Sequence, residues 1–530
     1  MSNGQNGERL SWGDALFLYL ERAGMPLNIA CVSIFDGDLS LDDCRDFIES
    51  KLPLVPRYYQ RPVAPPFNVG FPSWEDDPEF DIRRHVKEVR LKRGTETELK
   101  QLAGKLLSTV MDRRHPLWDV TVVHGLRGNR AAMVIRLHHC LADGIAGLAL
   151  MNVLLDTHRD VRPVAAGKPR VTQPQRDSLS LLLEGCISSY SELIERVLRA
   201  QSDFTGALLQ TLGGAWPNDE FAKYLPELTA PTERLFFNKV YQGPQGFAWA
   251  QIPTDAIKRI RKSCNATHND VVLALMTATI RRYAELHGEN MKGRLFRMTV
   301  PVNVRFGEDG SELGNRILFL PVTVPFEVRG ARKLLEAVHE RTDFLKRSHV
   351  AEWVGLAAGL LGVVPAPLQA LVGPLASTLP LALCNMICTN IRGPDEPLYF
   401  LGRKMIEWYP YVPVGGQMTL NCAVLSYCEV TYFGFSGDIK AAPDLRKLEA
   451  LLHLSAAELL KTSRLEPRRT KPRKAKKRTP IRRKSSVVQA SAPESEVPLP
   501  ASTTSPSQAE RRAQEISAGD APLTHSSAAD

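Results

Sequence analysis

The segment Arg136–Gly144, with the sequence RLHHCLADG, restricts the possible fold of this chain more than any other segment. The apolar run before it, Ala131–Ile135, is typical of a buried strand. Apolar residues after it recur near helical spacing, at positions 145, 148, 149 and 155. Two histidines therefore stand where a strand ends and a helix follows. Because neighbouring strand residues face opposite sides, His138 and His139 cannot both face one cavity if the strand includes both.

Imidazole at such a strand end suits acid–base chemistry, because its unperturbed pKa lies near neutral pH. A neutral ring at a cavity can accept a proton from an attacking hydroxyl. Asp143 is expected to fix the loop, by pairing with an arginine or with backbone N–H groups. The structural alternative is a pair of core histidines followed by an N-capping aspartate.

Two other chemistries are open at this segment. A metal site needs three or four converging ligands, and the neighbouring sequence does not supply the remainder. Cys140 could act as a nucleophile, although an apolar setting more often leaves a thiol inert.

Composition indicates a globular protein with an unusual tail. A chain of 530 residues with 44% hydrophobic residues is expected to form two domains plus appendages. The net charge of +9 lies mostly in residues 464–530, which hold 14 Lys and Arg against 7 Asp and Glu. The nine cysteines form no CxxC pair and the N-terminus is polar, which predicts a reduced, cytoplasmic protein without a disulfide framework or zinc site.

Alternation of strand and helix patterns predicts an α/β fold. The predicted domains are residues 1–160, a linker with helices over 161–240, a second domain over 241–463, and a tail over 464–530. Helices are predicted over residues 10–21, 41–51, 95–111, 179–209, 255–263, 271–287, 331–348 and 444–461. Strands are predicted over residues 28–35, 118–123, 131–135, 246–252, 297–304, 317–324 and 383–390, with two more within 420–435. Residues 74–85 are predicted to be a loop that enters another strand.

Residues Trp353–Ile391 contain no charged residue and no histidine, and this uncharged segment is long enough to suggest a membrane span. Four prolines interrupt this segment, so we predict helices that line a lipid-sized cavity or lie on a membrane surface. A very apolar pair of core helices is the alternative.

The tail is predicted to be disordered, because a proline-broken basic run (464–484) and a Ser/Pro/Ala-rich end (485–530) cannot bury enough apolar surface to fold. The basic run could bind anionic lipid, could be a solvated tail, or could contact nucleic acid. For the folded part, which is nearly neutral, no nucleic-acid partner is expected.

Two shorter blocks have good structural explanations. Pro116 is tolerated at the start of the strand that Trp118 begins, because it need not donate to the ladder, and Trp118 itself is suited to core packing. Asn269 and Asp270 precede a helical pattern, and both residue types are strong N-caps.

Several blocks together resemble a known family. His138–Gly144 is similar to the HHxxxDG motif of the CoA-dependent acyltransferase superfamily, which chloramphenicol acetyltransferase and peptide-synthetase condensation domains share. Pro116-Leu117-Trp118, the segment beginning His268-Asn269-Asp270, and Asn390–Pro394 resemble the PLW, ND and NxxGP blocks of the bacterial wax ester synthase/diacylglycerol acyltransferase family. The blocks come in the family's order, and the likeness extends from Leu10 to about Leu460. His268 departs from the family pattern, which tends to be apolar there.

This resemblance implies two chloramphenicol-acetyltransferase-like domains with the active site in a channel between them. It implies transfer of a long-chain acyl group from acyl-CoA, a co-substrate, to diacylglycerol or a long-chain fatty alcohol, with no cofactor and no metal. Peripheral contact with the inner membrane or lipid inclusions would follow from such substrates.

The resemblance also implies roles for individual residues. His139, the second histidine of the motif, would be the general base, His138 would support its geometry, and Asn269 would assist the transition state or order the site. Asp143 would hold the loop, and Gly144 would allow its tight turn. The remaining residues are supporting (Asp270, Asn390, Gly393, Pro394) or shape the acyl pocket (Pro116, Leu117, Trp118). Because no separate nucleophile is needed, direct transfer is favoured over an acyl-enzyme.

Two other classes of function stay open. An HHxxxDG enzyme could instead use a carrier-bound acyl donor. This class is disfavoured by the PLW, ND and NxxGP blocks and by the uncharged segment 353–391. A lipid-binding protein without turnover could keep the same fold. This class is disfavoured by the presence of His139, Asp143 and Asn269.

Overall fold

The computed structural model describes residues 7–141, 144–160, 177–187, 201, 223–224, 226–227, 230–303, 317–348, 350, 363–376 and 384–464. The α-helices with assigned bounds are α1 (Trp12–Leu20), α2 (Leu41–Lys51), α3 (Ile82–His85), α4 (Glu96–Leu107), α5 (Gly144–Leu154), α6 (Thr254–Cys264), α7 (His268–Leu286), α8 (Ala331–Arg347), α9 (Ala366–Ala376) and α10 (Lys447–Arg464). The strands are β1 (Asn28–Asp36), β2 (Gln60–Val63), β3 (Ser73–Asp76), β4 (Val86–Arg90), β5 (Trp118–Leu126), β6 (Arg130–His138), β7 (Gln245–Pro253), β8 (Leu295–Asn303), β9 (Ile317–Pro325), β10 (Met386–Arg392), β11 (Tyr399–Phe400), β12 (Arg403–Tyr411), β13 (Leu420–Tyr427) and β14 (Val430–Asp438).

Two six-stranded sheets organise these elements, which confirms the α/β prediction. The first has the strand order β11-β12-β1-β6-β5-β4 and the second has the order β7-β14-β13-β10-β8-β9. Both sheets are mixed, because β4 pairs with β5, and β10 with β8 and β13, in parallel. A separate small sheet consists of β2 and β3.

The first sheet takes two strands from the second half of the chain. Strand β12 pairs antiparallel with β1, from Ala30 opposite Tyr411 to Phe35 opposite Met405, and β11 continues the sheet outward. On its other side β1 pairs with β6, the histidine strand. The sequence prediction missed β11 and β12 altogether, so it did not show that the second half completes the first sheet.

Most other predicted elements agree with the structure, and α2 agrees residue for residue. One predicted segment was wrong: residues 74–85 are not a plain loop, because they include part of β3 and the single turn α3 before β4 begins. The turn forms because the Asp81 side chain accepts a hydrogen bond from the backbone N–H of Arg83 at its start.

The two sheets share buried contacts. Phe247 and Trp249 of β7 belong to the same buried cluster as the strands of the first sheet. Helix α4 lies against β7, where a Cβ added to Gly104 would be 3.1 Å from the backbone oxygen of Gln245. Lys100, also on α4, is buried and places its ammonium nitrogen 3.0 Å from Glu449.

Much of the predicted linker, the tail beyond residue 464, and parts of the uncharged segment lie outside the described residues. Within the predicted linker, residues 178–187 are helical. Across the described ranges, no helix combines enough length and apolar character to cross a membrane.

A glycine in β14 lies where the two sheets approach each other closely. A Cβ on Gly434 would collide with the backbone oxygen of Pro410 in β12. We therefore expect Gly434→Ala to destabilise the protein by about 1–3 kcal/mol, as overpacking does. Equilibrium urea unfolding measures the change.

The matched control is Gly13→Ala in α1, where the nearest atom to an added Cβ is 3.9 Å away. That change should be neutral or slightly stabilising, because alanine is the better helix former. Equal effects of the two substitutions would contradict the close packing of β12 on β14.

Candidate active site

The end of β6 is fixed from both sides. The backbone N–H of His138 donates to the carbonyl oxygen of Leu117, at 2.9 Å, and His138 is register partner to Asn28 in β1. Two residues earlier, the Arg136 guanidinium donates from Nε to Asp119, at 2.8 Å, and from Nη1 to the Thr109 hydroxyl, at 2.7 Å. The histidine pair therefore sits on a well-anchored strand end.

His138 is fully buried and its ring has one orientation imposed by hydrogen bonding. Its Nδ1 accepts a hydrogen bond from the backbone N–H of Cys140, at 3.1 Å. An accepting Nδ1 carries no proton, so the proton of the ring is on Nε2. That atom lies 3.4 Å from Oε1 of Glu21.

Glu21, directly after α1, is a buried carboxylate with a side chain that is 1% exposed. Oε1 accepts the backbone N–H of Leu27, and Oε2 lies 3.1 Å from Nη2 of Arg113. Burial alone would raise the pKa of Glu21, but the contact with His138, joined by those with Leu27 and Arg113, leaves this pKa below its usual value. A negative charge is therefore held beside His138.

His139 has a different environment. Its backbone N–H donates to the carbonyl oxygen of Leu27, at 3.0 Å, and its ring stacks on Phe17 with centroids 3.8 Å apart and planes 9° from parallel. Burial lowers the pKa of His139 to about 4, and a second proton on His138 would act in the same direction. Nδ1 of His139 is buried and bonds to none of the residues that the structure describes. The ring is therefore neutral at pH 7 and able to accept a proton.

The strand ends at His138, so the expected alternation does not extend to His139. Both rings contact α1 or the residue that follows it: His139 contacts Phe17, and His138 contacts Glu21 one helical turn later. Cys140, next along the chain, is buried, and its burial raises the pKa of its thiol well above the usual value. A thiol in that state is a poor nucleophile, which argues against the Cys140 alternative.

The rest of the motif is only partly described. Asp143 lies outside the described residues, and Gly144 is the first residue of α5. The roles predicted for these two residues therefore stay predictions.

The block Pro116-Leu117-Trp118 divides between two surroundings. Leu117 belongs to a small buried cluster with Cys140 and residues of α1, beside the histidines. Trp118 belongs to the core of the first sheet, where its Nε1 donates to the Tyr58 carbonyl oxygen, at 2.8 Å, and its ring stacks on His85. Pro116 is also buried. The packing expected of Trp118 is present, and the acyl-pocket role of the block stays a prediction.

The ND block begins α7, but its capping differs from the prediction. Thr267 is the N-cap, and its hydroxyl and the Asp270 carboxylate form a capping box, so neither Asn269 nor Asp270 is the cap itself. Asp270 is fully buried and also accepts hydrogen bonds from His339, at 2.8 Å, and Thr342, at 2.6 Å. Asp270 therefore ties α7 to α8.

Asn269 meets the NxxGP block. Nδ2 of Asn390 in β10 donates to Oδ1 of Asn269, at 3.2 Å. A Cβ on Gly393 would be 2.5 Å from the backbone oxygen of Ser426, which accepts the Gly393 N–H, so only glycine fits there. The carbonyl oxygen of Pro394 accepts the N–H of Cys428. These contacts fix the turn that follows Asn390.

The predicted residues thus form two groups, one on each sheet. His138 and His139 lie at the end of β6, and Asn269 and Asn390 lie between α7 and β10; within the described ranges no hydrogen bond joins the groups. Among those same residues, no three His, Cys, Asp or Glu side chains are arranged to hold a metal ion. The sequence did not predict the roles of Glu21 and Phe17. The only signal in the sequence was that Glu21 is an acidic residue at the end of an apolar helix, which includes Phe17.

Known structures identify the class of fold. Over 86% of this chain and all of its own, the wax ester synthase/diacylglycerol acyltransferase from Marinobacter aquaeolei VT8 superposes with a TM-score of 0.60 at 21% identity. The first condensation domain of the calcium-dependent antibiotic synthetase gives 0.53 at 15% identity, over 87% of this chain and 97% of its own. The architecture is therefore the one shared by condensation domains and this acyltransferase.

Sequence comparison identifies the family. Residues 10–272 match the wax ester synthase/diacylglycerol acyltransferase catalytic domain, and residues 313–459 match the C-terminal domain of the same family. A Mycobacterium tuberculosis protein named probable diacylglycerol O-acyltransferase tgs1 is 28% identical over 85% of this chain and 95% of its own. O-acyltransferase WSD of Acinetobacter baylyi is 27% identical over 83% and 94%. The chain belongs to the wax ester synthase/diacylglycerol acyltransferase family, which confirms the resemblance.

Glu21→Gln tests the buried carboxylate. Because the folded pKa of Glu21 lies below its ordinary value, the charge contributes stability above the ordinary pKa, and that stability is lost as the pH falls through the lowered pKa. We expect the variant to be less stable at pH 7 by about 1–3 kcal/mol, with a smaller difference below pH 4.5. Urea unfolding across this pH range measures it.

Asp255→Asn is the control, because it removes an exposed pair with Arg259. Its effect should stay within about 0.5 kcal/mol at every pH. A difference for Glu21→Gln that does not change with pH would show that folding does not lower the pKa of this carboxyl group.

Proposed function

We propose that this protein is an O-acyltransferase that moves a long-chain acyl group from acyl-CoA to diacylglycerol or a long-chain fatty alcohol, with His139 as general base. Family membership across both halves of the chain supports acyl transfer. Relatives named for diacylglycerol and for wax esters support the two classes of acceptor. The observation that carries the mechanism is the neutral ring of His139 on an anchored strand end, with a pKa of about 4.

The reaction proposed is a direct transfer. The acceptor hydroxyl gives its proton to His139 as its oxygen attacks the thioester carbonyl carbon. The tetrahedral intermediate then collapses, the carbon–sulfur bond breaks, and the proton passes from His139 to the departing CoA thiolate. One ester and one free thiol result, without an acyl-enzyme, which agrees with the buried and protonated thiol of Cys140.

Other residues act through position. Glu21 and the Cys140 N–H hold the ring of His138, and the carbonyl oxygen of Leu27 holds the backbone of His139. Asn269 keeps its side-chain N–H donors unused by any described residue, while Asn390 occupies its oxygen. In this proposal those donors orient the substrate or stabilise the developing oxyanion, in a channel between the two halves of the chain.

A surface near α1 suits contact with lipid. Leu368, Leu371, Val372 and Leu375 of α9 are exposed at helical spacing, and Leu371 is 76% exposed. Residues Leu179, Leu183 and Ile187 of the 178–187 helix form a second exposed stripe. Phe67, 87% exposed, lies on the 65–69 turn against which both helices pack. We name these eight residues the apolar surface, and we propose that it rests on a membrane or lipid inclusion.

His139→Ala tests the general base. Loss of proton transfer should reduce turnover by roughly 10²–10⁴-fold. Radiolabelled palmitoyl-CoA is offered with diacylglycerol and, separately, with hexadecanol, and the ester products are counted. His453→Ala, an exposed histidine on α10, is the control and should keep wild-type turnover.

A pH profile gives a second reading of the same role. Because the pKa of His139 is lowered to about 4, the acidic fall of kcat/KM should lie nearer pH 4 than pH 6.5.

Undiminished turnover in His139→Ala would remove this residue from its role. Transfer from an acylated carrier protein, but not from palmitoyl-CoA, would instead favour a condensation-type enzyme.

The apolar surface is tested by Leu371→Asp combined with Leu375→Asp. Charges placed there should reduce co-sedimentation with neutral phosphatidylcholine vesicles about tenfold or more, because a carboxylate resists transfer out of water. Leu286→Asp, at a leucine of similar exposure on α7, is the control and should bind as the wild type does. Equal binding by all three proteins would show that this surface does not contact lipid.

A further inference from the structure

A cavity of about 260 Å³ is lined in part by Glu21, the carboxylate beside His138. Leu18, Tyr19 and Glu21 form one wall, Ala370 and Pro374 of α9 form another, and Arg113 and the 62–72 segment complete it. Its residues are mainly apolar, and the charges of Glu21 and Arg113 balance each other. The cavity therefore offers a mainly apolar pocket with a few polar groups.

Arg113 has hydrogen-bonding capacity left over. Its Nη2 donates to the carbonyl oxygen of Leu18, at 2.7 Å, and to Glu21. Its Nε and Nη1 donate to none of the described residues. The side chain is 43% exposed and therefore open to solvent. An ester or hydroxyl oxygen that entered the cavity could accept from these donors.

Tyr19 offers a second unused group. The residue is 8% exposed, and its buried hydroxyl has no hydrogen-bond partner among the described residues. Burial raises the pKa of Tyr19 to about 12, so the hydroxyl keeps its proton and can donate. A buried donor without a partner is costly, and an oxygen-bearing ligand would relieve that cost.

We propose that this cavity binds the neutral head group of the acyl acceptor, a glyceride bearing hydroxyl and ester oxygens, before its hydroxyl reaches His139. The proposal rests on the proposed function and names a site for its acceptor. The cavity, at about 260 Å³, has room for a glycerol head group but not for two acyl chains, which would leave through the mouth.

The charge balance of the cavity selects this ligand over CoA. Arg113 is the one cationic side chain among the described residues that line it, and Glu21 already neutralises that charge. Pyrophosphate and phosphate groups are typically bound by clusters of cations, and the described lining residues include a single cation. A neutral lipid head needs only a few hydrogen bonds and apolar walls.

The residues that neighbour the cavity lining agree with a lipid ligand. Ala370 and Pro374 line the cavity, and their neighbours Leu371 and Leu375 belong to the apolar surface. Asn68 also lines it and follows Phe67 of that surface. An acceptor dissolved in a lipid phase could therefore enter without crossing water.

Cavity filling tests the proposal. Ala370→Phe and, at the exposed rim, Ala64→Phe place a ring in the cavity, and Ala457→Phe on α10 is the matched control at an exposed alanine. Binding of dioctanoylglycerol to the full-length proteins is measured by calorimetry in detergent micelles. We expect Kd to rise about tenfold or more in both filled variants and to stay unchanged in the control.

Kinetics provide the second measurement. KM for diacylglycerol should rise in the filled variants, KM for hexadecanol should rise less because its head is smaller, and KM for palmitoyl-CoA should not change. If Ala370→Phe lowers the melting midpoint, the exposed Ala64→Phe decides the question. Equal Kd values in Ala64→Phe and Ala457→Phe, or no binding by the wild type, would overturn the proposal. If the wild type shows no turnover but the phenylalanine substitutions still weaken its binding of dioctanoylglycerol, the cavity is upheld as a binding site and the proposed function is rejected.

Discussion

The antiparallel pairing of β12 with β1 is the contact on which the rest of the structure depends. It inserts a strand from the second half of the chain into the first sheet, on the side of β1 opposite to the histidine strand. The same strand meets the second sheet where Gly434 lets its backbone approach Pro410. One strand therefore links both sheets, and the position of β6 depends on residues almost three hundred positions later in the chain.

Around that frame, the N-terminal helix organises the histidines. Phe17 and Glu21 are one turn apart, which gives one ring a flat apolar partner and the other ring an acidic partner. Leu27 connects the two arrangements, because its N–H donates to Glu21 and its carbonyl oxygen accepts the N–H of His139. A single short segment, from α1 to the start of β1, thus positions both members of the pair.

Local patterns predicted the parts of this protein that depend on local physics. Periodicity located α2 residue for residue and most of the strands, and the motif located His138 and His139. Strand β12 was missed because its sequence, which includes Pro410, carries no clear alternation, and its partner is distant in the chain. The cap of α7 was misassigned because Thr267, Asn269 and Asp270 are all competent caps, and only the observed hydrogen bonds distinguish them. Glu21 could not be found, because its meaning comes from a partner on another element.

The difference in surroundings between the two histidines follows from this arrangement. Glu21 already accepts a hydrogen bond from Leu27 and lies against Arg113 and His138, so its carboxylate has partners without His139. Had the carboxylate faced His139, it would have raised the pKa of that ring and favoured its protonated form, which cannot act as a base. The acidic residue lies against the first histidine, whose tautomer is fixed, and an aromatic ring lies against the second, which stays neutral. Two adjacent, identical side chains thereby acquire different roles from their surroundings alone.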